Sequence, residues 1–71
     1  MNYIVLEMQT NNGTTAVVPP MVYSDRNEAE SKFHQILAFA ATSTVEEHAA
    51  SLLTHDGRLI RYECYKHEAQ P

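Results

Sequence analysis

Asp25-Arg26-Asn27-Glu28-Ala29-Glu30-Ser31-Lys32-Phe33-His34-Gln35-Ile36-Leu37-Ala38-Phe39-Ala40-Ala41-Thr42, residues 25–42, is the longest stretch of helical periodicity in the chain. Ala29, Phe33, Ile36, Leu37 and Ala40 recur at helical spacing and make one apolar stripe. Asp25 is the natural N-cap, and Glu28 three residues on gives the spacing of a capping box. Glu28 and Lys32 stand at i, i+4 on a flank, where a pair adds modest support. The second half, Ile36 to Ala41, is apolar nearly all round. Phe39 lies about 100° from the centre of the stripe and Ala38 almost opposite it. A lone helix on one sheet does not need that surface apolar, which points to a subunit contact.

Outward from the helix, two turn signals organise the rest. Asn12-Gly13 and Asp56-Gly57 each sit between apolar, β-prone runs and predict tight hairpins. Residues 2–9 and 14–23 form the first hairpin, and residues 48–54 and 58–65 the second. The expected fold class is therefore α+β: a single domain, residues 1–66, in ββαββ order. It has an antiparallel four-stranded sheet with one helix packed on one face, and residues 67–71 form a frayed tail.

Alternation assigns the faces. In the first strand Ile4, Leu6 and Met8 share one face, and Tyr3, Val5, Glu7 and Gln9 the other. The helix stripe is expected on the more apolar set: Ile4, Leu6, Leu52 or Leu53, and Ile60. Tyr3 and Val5 are then left outside, to close a subunit contact with Phe39. The third strand is apolar on both faces, as in a central strand covered front and back. Pro19-Pro20 cannot donate to a ladder, so the second strand is expected to be an edge, a bulge or two short pieces.

Length and charge bound the function. A 71-residue chain with a single cysteine, Cys64, cannot staple itself with a disulfide, and oligomerisation is the remaining remedy for a small core. A lone thiol suits a reducing compartment. The opening strand does not read as a secretory leader, and nothing approaches the roughly 20 apolar residues of a membrane span. A net charge of −4 argues against DNA or RNA as a partner.

Chemistry-bearing motifs are sparse. Four histidines, at 34, 48, 55 and 67, lie one to an element, and only Cys64-x-x-His67 has a ligand-like spacing, so no metal is expected. The histidines read as solvent-facing or locally hydrogen-bonded. Cys64 falls with Ile60 and Tyr62 on the expected core face, where a thiol is inert. Both glycines serve turns, leaving none for a phosphate loop. Neither catalysis nor a cofactor is expected. The remaining constellation is cationic and aromatic: Arg61, Arg58, Tyr65 and Tyr3, with Lys32 and His34 flanking Phe33. Arginine beside tyrosine can hold an anionic, stackable ligand. The competing reading is a set of ordinary surface ion pairs with Glu28, Glu30 and Glu63.

Residues 25–34, with His48-Ala49-Ala50, the opening Tyr3-Ile4-Val5-Leu6-Glu7-Met8-Gln9-Thr10 and the ending Glu63-Cys64-Tyr65-Lys66-His67-Glu68, resemble a group of short uncharacterised proteins. These are encoded by phages and prophages of gut Firmicutes. The chain departs from the group at Pro19-Pro20. The resemblance implies a phage protein of the host cytoplasm. It makes a homo-oligomeric sponge for an anionic nucleotide immune signal the leading expectation. A minor virion structural or assembly factor, and a direct inhibitor of a host defence protein, are the alternatives.

Overall fold

The computed structural model describes residues 1–67. Five elements follow in order: β1 (Tyr3–Asn11), β2 (Thr14–Tyr23), α1 (Arg26–Thr42), β3 (Glu47–Thr54) and β4 (Leu59–Lys66). All strand pairings are antiparallel, and the sheet order is β2-β1-β3-β4. The expected ββαββ architecture is the one observed, with each boundary within two residues.

Local chemistry explains the joints. Asn12 and Gly13 both adopt positive φ, 52° and 78°, as a tight hairpin between twisted strands requires. Asp25 caps the helix by accepting from the Asn27 amide at 2.9 Å, one residue short of the capping-box partner. Lys32 reaches Gln35 rather than Glu28. At the other end Ser43 N–H returns to the Ala40 carbonyl, and the His67 ring donates to the same oxygen at 2.8 Å. His67 also donates its backbone N–H to the Glu46 carbonyl, so the fold reaches one residue into the expected tail. The remainder of that tail, 68–71, lies outside the described residues.

Pro19-Pro20 does what proline in a sheet must. β2 is an edge, and its register against β1 slips between Val5 and Glu7, opposite the prolines. Two of the expected outcomes, edge and bulge, thus occur together.

On β1 the helix sits on the face opposite to the one expected, while Leu52 and Ile60, also expected beneath it, are there. Val5 and Leu52 are fully buried, and with Ala29, Phe33, Ile36 and Ala50 they make the core, flanked by Tyr3, Met21, Tyr23, Leu37 and Ile60. Ile4, Leu6, Met8 and Leu53 point away from the helix. Tyr3 and Val5 therefore cannot close a subunit contact on the outer face, and Phe39, 71% exposed, lies on the helix layer away from it. β3 is central but covered on one side only. Tyr62 and Cys64 also turn outward, opposite Ser51 and Ala49, while the register shift between Leu52 and Leu53 makes Ile60 an extra residue leaning to the core.

Phe33 is 2% exposed at the centre of this core. Phe33→Ala should cost about 3–5 kcal/mol, a large part of the stability of so small a domain. Chemical denaturation of the variant checks it, and an unchanged midpoint would contradict the packing described.

Candidate functional site

Two surfaces can do chemistry or recognition. The first is a cleft of about 410 Å³ where α1 meets the edge strand β4, lined by Phe33, His34 and Leu37 from the helix and by Ile60 to Glu63 from the strand. Ile60, the extra residue of the register shift, leans to the core beside it, and Arg61 pairs in register with Leu52. Arg61 Nε donates to Glu30 Oε1 at 2.6 Å, Arg26 Nε to Glu30 Oε2 at 3.4 Å, and His34 Nε2 lies 3.8 Å from Glu30 Oε1. The Phe33 and His34 rings meet edge to face, with centroids 5.3 Å apart.

Glu30 is the hub of this cleft. Burial by itself raises its pKa, but hydrogen bonds and charge from Arg61, then Arg26, outweigh that and hold it below the ordinary carboxylate value. Glu63 contributes a second carboxylate to the lining. The guanidinium is thus balanced from within the chain, in the manner of the ion-pair reading.

The other sequence-derived site residues do not join this cleft. Arg58 is exposed in the β3–β4 turn, where its backbone N–H donates to Thr54 Oγ1 at 3.1 Å. That hydroxyl donates in turn to Asp56, which together with the Asp56 backbone amide holds the Asp56 carboxyl below its usual value. Tyr3 is half-buried against the core, separated from Arg61 by β3. Lys32 lies on the opposite flank of the helix. Tyr65 is exposed on β4, across from His48. Only Arg61 and His34 come together.

His48 differs from its expected solvent-facing or local role. It is 5% exposed on the helix side of the sheet, and its Nε2 meets Glu7 Oε2 at 2.6 Å, 41 residues away in sequence. Glu7 also accepts from Gln9 Nε2 at 3.2 Å, and His48 Nδ1 has no partner among the described residues. The signal was the alternation that sets Val5, Glu7 and Gln9 on one face, once the buried side is known. Among the described residues, no three His, Cys, Asp or Glu side chains gather as metal ligands would. No helix among the described residues is long and apolar enough to cross a membrane.

The second surface is the uncovered face of the sheet. Ile4, Leu6 and Met8 of β1 lie beside Val22 and Val17 of β2 and Leu53, Ser51 and Ala49 of β3, followed by Leu59, Tyr62 and Cys64 of β4. Val17, Val22, Leu59 and Tyr62 are each more than half exposed. Among the described residues, the charged side chains in these rows are Glu47 and Lys66, paired at 3.9 Å at one end. The helix-covered rows are the more polar ones, since Glu7, Gln9, His48 and Thr54 lie there. An antiparallel sheet open to water on one side ordinarily shows the reverse.

The Glu30 hub predicts an acid-sensitive contribution to stability. Its folded-state pKa is depressed, so the contribution is complete above the unfolded value of 4.5 and is lost as pH falls through the folded one. With both arginines half in solvent, the stability gap between wild type and Glu30→Gln should stay under about 1 kcal/mol at pH 7. Denaturation curves should show that gap closing below the ordinary carboxylate range. Comparison of the chain with family models, with curated proteins and with solved structures returns no match.

Proposed function

We propose that this chain is a non-enzymatic, homo-oligomeric binding protein that associates with its own copies through the uncovered face of its sheet. The observation that carries this reading is the inversion of polarity, with the more apolar side of β1 and β3 turned away from the helix. A second copy is the occupant that fits. Each chain carries a net charge of −4, and a face whose centre has no charged side chains lets like-charged copies meet with little repulsion. Four strands of about eight residues project roughly 500 Å². Side-chain relief brings the accessible area to the order of the roughly 800 Å² per partner of a standard interface.

Following the phage resemblance, the proposed setting is the host cytoplasm and the proposed role is counter-defence. Sequestration of an anionic nucleotide is a second reading, supported by the meeting of Arg61 and His34 on one cleft. Such a ligand would meet Arg61 while its Nε stays on Glu30. Phosphate contacts would come from the terminal guanidinium nitrogens.

The test has two arms. Leu6→Lys places a cation at the centre of the uncovered face, and light scattering should show a smaller assembly than wild type at micromolar concentration. An unchanged mass overturns the interface. In the second arm, a panel of cyclic and ADP-ribose-type nucleotides is scored by thermal shift. A ligand at 100 times its Kd stabilises by about 2.7 kcal/mol, and a shift abolished by Arg61→Ala would establish the nucleotide reading. A panel without shifts leaves self-association as the function of the sheet and removes the nucleotide.

A further inference from the structure

The sheet has two edges, and they are not alike. β2 carries Pro19-Pro20, and residues without an N–H leave it no unbroken row of donors for another strand. β4 carries no proline, its register slip falls at Ile60 before Arg61, and among the described residues no strand lies on its outer side. Which of its backbone groups face outward follows from two hydrogen bonds. His67 N–H crosses inward to the Glu46 carbonyl. Cys64 N–H, three residues back, goes to the side chain of its own neighbour Glu63 at 3.1 Å. Inward and outward groups alternate along a strand, so Tyr62, Cys64 and Lys66 present their N–H and C=O to the open side.

We infer that β4 is a self-pairing edge: two copies join antiparallel through β4 about a twofold axis at Tyr62, making one eight-stranded sheet. Charge selects the register. Centred on Tyr62, the pairing sets Arg61 opposite Glu63 of the second copy, twice by symmetry, on the helix side of the sheet. Shifted by one residue to centre on Glu63, it sets the two Glu63 carboxylates against each other, which a cross-strand pair does not tolerate. In the chosen register Tyr62 faces its own symmetry mate as a hydrogen-bonded pair, each residue exchanging both backbone bonds.

The isolated protomer is already prepared for this exchange. Arg61 uses Nε for Glu30 and keeps its terminal nitrogens for a second carboxylate. Glu63, which shields the outward Cys64 amide in the protomer, would give up that amide to a strand carbonyl and take the guanidinium instead. The axis runs perpendicular to the sheet, so both helices stay on one side and the two uncovered faces become continuous. This contact is separate from the face-to-face one and does not depend on it.

The experiment is carried out on the Leu6→Lys protein, in which the face contact is removed. That protein should run as a dimer by light scattering. Adding Arg61→Glu makes every cross-strand pair acid against acid, and adding Glu63→Arg makes every pair base against base. Each of these should halve the mass. An equimolar mixture of the two should restore it, because both pairs of the mixed dimer are then of opposite sign. Tyr62→Pro is the control for folding: it removes an outward N–H that no strand of the protomer uses, and should give a monomer with the sheet circular-dichroism signal intact. A Leu6→Lys protein that is already monomeric, or a mixture that does not regain mass, overturns edge pairing. Neither result touches the face contact, which fails only if Leu6→Lys leaves the wild-type mass unchanged.

Discussion

Phe33 and Ile36 come down on Val5, Ala50 and Leu52, and that contact decides which face of every strand is inside. Ala29, Ala40 and Ala50 are fully buried, and their small side chains let the helix lie close to the sheet. A helix about 10 Å across covers two strands spaced about 4.8 Å apart. α1 accordingly covers the central pair, β1 and β3, and leaves the flanks open. The cleft beside β4 is the visible consequence of one helix being narrower than four strands.

The same limit explains the charge arrangement. Residues at the helix flank meet solvent and β4 together, so Glu30 can gather Arg26 from one turn back, His34 from one turn on, and Arg61 from across the gap. An acidic chain with five lysines and arginines has thus placed two of them on one carboxylate. What remains cationic at the cleft is the unused end of Arg61, a weak lure for a phosphate and a suitable one for a single opposing carboxylate.

How far the fold was legible depended on how local its causes are. Asn12-Gly13 and Asp56-Gly57 fix their turns through backbone angles, and the helix stripe repeats within one element, so element order, strand pairing and even the β2 irregularity could be read. The buried face of β1 could not. Ile4, Leu6 and Met8 outrank Tyr3, Val5, Glu7 and Gln9 in hydrophobicity, and a ranking by apolar content selects the wrong side. The choice was made by non-local partners: Ala50 leaves room for the helix, and His48 satisfies Glu7 within the layer. Once that face is inverted, Cys64 moves from core to surface and Tyr3 from surface to core. At the site, the cationic character of Arg61 and His34 was legible; that both answer to Glu30 required the tertiary structure.

Pro19-Pro20 has a consequence beyond the strand that contains it. A protein with two receptive edges that adds strands by self-pairing has no natural stopping point and grows as a fibre. Here one edge is closed by two residues without N–H groups. Any sheet built by joining copies at the other edge must therefore end in prolines on both sides. The double proline acts as a terminator, and it makes strand addition in this family of shapes a finite operation rather than a route to aggregation.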